Sequence, residues 1–406
     1  MAGKRYISGS FDERVRSDCR IEMEIVGSGG NRINIKSKVG VLFGESIRKL
    51  IEEGLDFFNI KNSVTEIDDK GALPFVIMAR LESVIKKIYP DETKKFLPEI
   101  SNSFPSSTRD RFRRSRLYLP GDQPKLFINA GVHKPDGIIL DLEDSVSPSV
   151  KDDARLIVRN ALRAVDFLGA ERMVRINQLP LGLKDLEEII PENPDLILIP
   201  KVESGEQIKQ VEDRIDSIIK NNNGTENIFL MPIIESALGV LNSLEIAVSS
   251  KKIASLAIGL EDYTADIGTV RSKEGKESFF ARSMIVNAAK AAGIQAIDTV
   301  FSDVNDMDGL MESVLESKAL GFDGKGCIHP RQIQVVHDGF SPSEKEIGKA
   351  KRIVLAFEEA EKKGLGVVSL GSKMIDPPVV KRALKVIELA LRDGKLDSEW
   401  RESDEK

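Results

Sequence analysis

Residues 229–268 read FLMPIIESALGVLNSLEIAVSSKKIASLAIGLEDYTADIG, and this stretch decides the fold. Two short apolar runs, 228–234 and 253–258, each end in carboxylates: Glu235 after the first, Glu261 and Asp262 after the second. Between them Leu238, Val240, Leu241, Leu244, Ile246, Ala247 and Val248 fall at mixed helical spacing, over a length too great for a hairpin and sufficient for a crossover helix. The stretch therefore predicts strand, helix, strand, with two neighbouring parallel strands presenting acids at their C-terminal ends. That is the end at which α/β barrels and open α/β sheets carry their active sites. Two hard oxygen ligands from adjacent strands suit Mg2+ or Mn2+. The same acids can equally be helix N-caps or solvated loop charges, and the stretch alone does not choose.

Outward from this pair, the same alternation of short apolar runs and helical segments recurs. Candidate strands are 117–119, 137–142 (followed by Glu143-Asp144), 172–176, 196–200, 228–234, 253–259, 295–298 and 324–328, which makes eight. Alternating βα units with eight parallel strands predict an α/β fold, the (β/α)8 TIM barrel. Polar residues follow nearly every strand on the same side: Asp141, Glu143, Asp144, Arg175, Asn177, Lys201, Glu203, Glu235, Asp262, Asp298 and His329. Their recurrence at one rim is hard to explain as solvated surface and points to a cation and a polyoxygen ligand meeting there.

Upstream, 19–25 (CRIEMEI) and 33–39 alternate around Gly27-Ser28-Gly29-Gly30 and predict a β-hairpin. The glycines fit a turn rather than a phosphate cradle, because no strand-then-helix context surrounds them. Helices are expected over 43–58 and 72–88, the second with Pro74 in its first turn, and a strand over 63–67. The first ~90 residues thus form a compact α+β unit, near the lower end of domain size. Residues 89–110 are rich in Pro, Ser and charge and read as a linker, followed by the basic cluster 109–116.

The chain of 406 residues is long for one domain and suits a barrel of about 250 residues plus something smaller. Its 41% hydrophobic and 31% charged residues describe a globular protein with a sizeable core. A net charge of −6 with no basic, aromatic-laced stripe argues against a nucleic-acid partner. No apolar run approaches a membrane span. The two cysteines, Cys19 and Cys327, are far apart, and no apolar signal run opens the chain, so the expected compartment is the cytoplasm. With three histidines, any metal must lean on carboxylates.

Motifs carry two resemblances. FGESI at 43–47 and DDKGALPFVIMARLESV at 68–84 make residues 17–87 similar to the citrate lyase acyl carrier (gamma) subunit family. RRSRLYLPG (113–121), DLEDSV (141–146), VRIN (174–177), PKVES (200–204), IIESALGVLN (233–242), GLEDYTADIG (259–268), Ala281-Arg282, GFDGKGCIHPRQI (321–333) and MIDPP (374–378) make 113–395 resemble the citrate lyase beta subunit family, which includes malyl-CoA and citramalyl-CoA lyases. Together they imply an acyl-carrier-like domain (1–92), a linker (93–112), a TIM barrel lyase domain (113–340) and a C-terminal helical lid or oligomerisation segment (341–406).

The resemblance implies retro-Claisen cleavage of a 3-hydroxy-3-carboxyacyl thioester into a 2-oxo acid and an acetyl-type thioester. By motif, Glu235 and Asp262 would bind Mg2+, Glu143 would hold a metal-bound water, Arg175 would hold the forming keto acid or enolate, and Arg114 would contact substrate. Asp376, delivered by a neighbouring subunit, would exchange the thioester α-proton, which implies a homo-oligomer, trimer or hexamer. Ser17 aligns as the candidate for a covalent phosphoribosyl-dephospho-CoA arm, with Ser10 a weaker one; Arg16 stands where the carrier family has a small residue. A CoA-transferase (alpha) partner is implied for a complete citrate lyase. Two alternatives stay open: a lyase on free acyl-CoA thioesters whose N-terminal domain serves assembly, and a noncatalytic carrier-presenting subunit.

Overall fold

The structure, a computed structural model, describes residues 4–10, 12, 15–100, 106–222, 227–362, 368–370 and 373–401. Strands β1 (Tyr6–Ser8), β2 (Cys19–Ile25), β3 (Asn31–Ser37) and β4 (Ser63–Asp69) form an N-terminal sheet in the order β1-β2-β4-β3. The hairpin expected from 19–39 does not form. β4 lies between its two arms, antiparallel to β2 and parallel to β3. Burial explains the choice: β4 buries Ser63, Thr65, Ile67 and Asp69 and takes the central place, whereas β3 buries only Ile33 and takes the edge. Helix α1 (Gly40–Phe57) makes the crossover between the parallel pair.

Helix α2 (Pro74–Ile88) opens on Pro74, whose missing N–H is not needed in the first turn. Every residue of α2 from Phe75 to Ile85 is buried. Ile77, Leu81, Val84 and Ile85 close the core of the small domain, while Phe75, Val76 and Ala79 belong to the core of the larger domain. One helix therefore serves two cores.

That second core surrounds a closed, all-parallel barrel of β5 (Ser115–Pro120), β6 (Gly137–Asp141), β7 (Glu171–Arg175), β8 (Leu196–Ile199), β9 (Phe229–Ile234), β10 (Ser255–Ile258), β11 (Gln295–Asp298) and β12 (Gly324–Cys327), with β12 paired to β5. The helices around it are α3 (Lys151–Ala164), α4 (Gly182–Ile189), α5 (Gly205–Asn222), α6 (Ala237–Leu241), α7 (Ser243–Val248), α8 (Leu260–Asp266), α9 (Phe279–Ala291), α10 (Met307–Leu320) and α11 (Arg331–Phe340). Strands such as β6, β8, β9 and β10 are apolar on both faces because one faces the helices and the other the barrel interior. The interior is filled by Ile139, Met173, Leu196, Leu198, Met231, Ile233, Ala257 and Ile297. The single crossover helix expected over 238–248 is two short pieces, α6 and α7, broken at Asn242, with the Ser236 hydroxyl capping the first.

Beyond the barrel run α12 (Glu344–Lys362), β13 (Val368–Leu370), β14 (Lys373–Ile375) and α13 (Pro377–Arg392). The end of α13 is tied to the N-terminal face of the barrel: Lys385 pairs with Asp323 at 3.3 Å, Arg392 with Asp110 at 3.3 Å, and Asp393 with Arg114 at 2.5 Å. No helix among the described residues is long and apolar enough to cross a membrane.

The small domain is fixed to the barrel through α2 and α3. Arg159 of α3 grips Glu82 of α2 with two bonds of 2.7 and 2.8 Å, and both side chains are fully buried. Asp153 of α3 accepts from Ser8 at 2.8 Å and from Ser83 at 2.7 Å, and Lys87 pairs with it at 2.6 Å. Asn160 donates to the Phe75 carbonyl at 3.0 Å.

Candidate active site

The C-terminal ends of β6, β7, β9 and β10 converge on a cavity of about 290 Å3 lined by Tyr118, Asp141, Arg175, Glu235 and Asp262. Asp141, the last residue of β6, receives two parallel bonds of 2.7 Å from the Arg175 guanidinium at the end of β7. The third nitrogen of Arg175 lies 2.9 Å from Glu143, and its plane rests 5.3 Å above the Tyr118 ring. Burial works against the Arg175 charge, but the bonds and the charge of Asp141 outweigh it and raise its pKa further. Arg175 is thus a clamped guanidinium at the mouth of the barrel.

Glu235 directly follows β9 and is 6% exposed. Its Oε2 accepts the backbone N–H of Lys201 at 2.9 Å. Gly259, at the end of β10, is what lets the strands carry it, since a Cβ there would stand 2.4 Å from Glu235 Oε1. Asp262 follows in the first turn of α8, with a half-exposed side chain. Burial, then repulsion from Glu143 and Asp262, pushes the Glu235 carboxyl up to about 8. Burial likewise raises Glu143 to about 7 against the pull of Arg175. Acids crowded in this way hold protons that a cation would displace.

The cation present is Lys201, whose ammonium lies 3.4 Å from Asp262 and 3.6 Å from Glu143. Its backbone sits in the left-handed region, φ 51°, so that its amide and its ammonium both face the acids. For a residue with a Cβ that conformation is strained, and such strain concentrates at functional sites. The donor set fits Mg2+: two carboxylates from adjacent strands leave most of an octahedron to water and substrate. Among the described residues no three His, Cys, Asp or Glu side chains are gathered into a metal cage, so any ion here depends on ligand oxygens as well.

Glu143, Arg175, Glu235 and Asp262 are therefore brought together. Arg114 is not. It precedes β5 at the opposite, N-terminal face, where Asp136 binds it at 2.9 Å and Asp393 at 2.5 Å. The first residue of β5 is Ser115, so register places Arg114 before the strand and outside the cavity at the barrel mouth where substrate contact was expected of it. Asp376 also stands apart within one chain; it caps α13, accepting from the Val379 N–H at 3.1 Å. Asp298, expected at the rim, lines the cavity, but its carboxylate is taken up by Arg282 at 2.9 Å and Lys325 at 3.1 Å. Motif likeness does not single out Tyr118. The signal for it is the alternation of β5, which sends Leu117 and Leu119 to the helices and Tyr118 inward.

Ser17 sits at φ 54° beside buried Asp18, whose carboxylate is gripped by Arg80 at 2.7 and 3.0 Å. Next to it, a cavity of about 790 Å3 lies between the small domain (Gly9, Ser10, Arg16, Asp18) and the loop Asp122–Lys125 that follows β5. Ser10 lines this cavity directly.

Two family profiles match. Residues 14–88 match the malonate decarboxylase delta subunit (MdcD), an acyl-carrier family, and residues 114–330 match HpcH/HpaI aldolase/citrate lyase. The citrate lyase subunit beta of Leuconostoc mesenteroides subsp. cremoris is 42% identical over 295 residues, 71% of this chain and 97% of that one. The mitochondrial citramalyl-CoA lyase of Homo sapiens is 35% identical over 306 residues, 72% of this chain and 90% of its own length. Among solved structures, CitE from Mycobacterium tuberculosis in complex with magnesium, acetoacetate and coenzyme A superimposes with a TM-score of 0.58 at 29% identity, covering 70% of this chain and 99% of that one. A closed parallel barrel, acids from adjacent strand ends and relatives of this likeness lead to one conclusion: the chain belongs to the HpcH/HpaI aldolase/citrate lyase family of carbon–carbon lyases and carries an acyl-carrier-like domain at its N-terminus.

Proposed function

We propose that the chain is a carrier-fused, citrate lyase beta-type subunit that cleaves a citryl-, citramalyl- or malyl-type thioester into a 2-oxo acid and an acetyl thioester. The observation that carries this is the gathering of Glu235, Asp262 and Arg175 at one cavity of the barrel mouth, with Glu143 paired to Arg175 at 2.9 Å. Glu235 and Asp262 would hold Mg2+, which supplies Lewis-acid charge for the substrate carboxylate and hydroxyl when bound. Arg175, fixed by Asp141, meets the oxygen on which negative charge grows, and its planar fork suits a carboxylate or enolate better than lysine would. Glu143, with its pKa near the working pH, takes the hydroxyl proton as the carbon–carbon bond breaks. The bonding electrons pass to the thioester as an enolate, whose carbon then receives a proton from Asp376 of a second copy. Stiffened by Pro377 and Pro378, Asp376 caps α13 and is not among the residues that line the cavity, so an active homo-oligomer, trimer or hexamer, follows from this assignment.

The N-terminal domain supports substrate tethering. A phosphoribosyl-dephospho-CoA arm on Ser17 would start beside the cavity that abuts the Asp122–Lys125 loop, and tethering raises the effective concentration of an acyl group at the barrel. A second reading is favoured by Arg16 and by the buried ion pairs that fix the domain: free CoA thioesters are the substrate and the domain is structural. The deciding experiment is cleavage of citryl-CoA, citramalyl-CoA and malyl-CoA by the purified chain in Mg2+ and in EDTA, with the intact mass of the Ser17 peptide. Metal-dependent release of a 2-oxo acid with unmodified Ser17 establishes the second reading. Cleavage only by material carrying the added mass establishes the first, and no cleavage by either form refutes the lyase assignment.

A further inference from the structure

Beneath the acids of the rim, the barrel contains a charge with no ion-pair partner among the described residues. Arg116, on the inward face of β5, is 1% exposed and lines the same cavity as Arg175, Glu235 and Asp262. Both residues opposite it in the sheet are glycines, Gly137 of β6 and Gly326 of β12, and their missing Cβ atoms make room for Met173 and for Val300, which pack where a larger residue would stand. Its contacts are weak: one nitrogen donates to the Met231 sulfur at 3.1 Å, another to the Asp298 backbone carbonyl at 3.4 Å, and Nε has no partner. No carboxylate of the described residues forms an ion pair with it.

The other fully buried cations are treated differently. Arg113 is paired with Glu171 at 2.7 Å, Arg159 with Glu82 at 2.7 Å and Lys325 with Asp298 at 3.1 Å. A buried guanidinium left unpaired is costly, and burial duly lowers its pKa from the ordinary arginine value. A fold retains such a group when a ligand completes it. Tyr118, two residues on along the same face, separates Arg116 from the rim, where Arg175 rests on its ring. One pleat repeat is about 7 Å, so a ligand reaching both levels is chelated at the rim and anionic at its far end.

We propose that Arg116 is a specificity-determining residue that receives a second carboxylate on the 2-oxo-acid half of the substrate, so that the acid released is a 2-oxo dicarboxylate. The inference rests on the lyase reading for the identity of the ligand. A methyl group or hydrogen in that position would leave the guanidinium as unpaired as it is now, and sites with buried unmatched donors reject such analogues. A carboxylate matches the fork of the guanidinium with two bonds.

The test is calorimetric binding of freshly prepared oxaloacetate, pyruvate and glyoxylate to the full chain in Mg2+, for wild type and Arg116→Met. Wild type is expected to prefer oxaloacetate by about thirtyfold or more, the worth of a buried charge-assisted pair. Arg116→Met should lose that preference while keeping pyruvate affinity within about twofold, and should melt higher because an unpaired buried charge is gone. Equal wild-type affinity for oxaloacetate and pyruvate overturns the proposal whether or not the variant folds. Equal loss of all three ligands in a folded variant overturns it too, by showing that Arg116 only shapes the barrel. Because these acids bind without turnover, selectivity with no thioester cleavage refutes the lyase reading alone, and cleavage with no selectivity refutes the role of Arg116 alone.

Discussion

Arg159→Ala should destabilise the whole chain rather than one part of it. Arg159 reaches from α3 to Glu82 of α2 with bonds of 2.7 and 2.8 Å and to Glu188 at 2.9 Å. Neither Arg159 nor Glu82 is exposed at all. Removing one partner of such a pair leaves a buried carboxylate, which costs about 3 to 5 kcal/mol. Glu82 keeps Lys86 at 2.7 Å and the Phe96 N–H at 2.6 Å, so the expected loss is near the lower end, about 3 kcal/mol. For a chain of this size about 2 °C accompanies each kcal/mol, giving a fall in Tm of about 6 °C. Calorimetry should show one transition shifted as a unit, because α2 belongs to both cores. The double variant Glu82→Leu, Arg159→Met removes both charges and should return within about 1 kcal/mol of wild type. A loss below about 1 kcal/mol for Arg159→Ala, or a second transition at unchanged temperature, would show that the carrier-like domain is not locked to the barrel.

Three further predictions concern the site. The carboxyls of Glu235 and Glu143, raised to about 8 and about 7 in the folded chain, favour the fold fully below the unfolded value of 4.5, and that stability is lost progressively as pH rises from 4.5 to the folded values of about 7 and about 8. In EDTA the Tm should therefore fall across this window, Glu235 alone giving up on the order of 3 kcal/mol by pH 7 at about 1.4 kcal/mol per unit; Glu235→Gln should remove that part of the slope, and an identical slope in the variant refutes the assignment. Gly259→Ala drives a methyl to 2.4 Å from Glu235 Oε1 and should weaken Mg2+ binding by about tenfold or more in calorimetry while circular dichroism stays unchanged; wild-type affinity would mean that Glu235 does not hold the ion. If Asp376 of one copy serves the site of another as proposed, Asp376→Asn and Glu235→Gln, each inactive alone, should recover partial activity when co-assembled; mixed oligomers seen by native mass spectrometry without activity would count against it.

The barrel was legible because parallel strands buried on both faces leave continuous apolar runs, and because polar residues at their ends recur on one side. The pairing of β2 was not. Its alternation serves a hairpin partner and a crossover partner equally well, and only the burial of β4 on alternate positions decides which strand is central. The basic cluster shows the limit more sharply. Arg113, Arg114 and Arg116 are near neighbours in sequence, yet the first binds Glu171, the second Asp136, and the third enters the barrel. A one-residue difference in where β5 begins reverses every side chain on it, and nothing local in RRSR sets that point. Motif likeness picked Arg114; register gives the barrel interior to Arg116.

Charge arranges the site along the barrel axis. At the rim, Arg175 is shared between Asp141 and Glu143, and the ammonium of Lys201 lies between Glu143 and Asp262. Deeper, Arg116 has no ion-pair partner among the described residues, and the Asp298 carboxylate nearby is spent on Arg282 and Lys325. The excess of negative charge above and the unmatched positive charge below each cost stability in the empty protein, and proteins accept such costs where function needs them. A divalent cation at the rim offsets the first and a carboxylate at the floor offsets the second, so one chelating dianion with its ion satisfies both at once. A ligand with a single anionic end answers only the upper imbalance, which is why discrimination among 2-oxo acids reports on the floor of the barrel and metal affinity reports on its mouth.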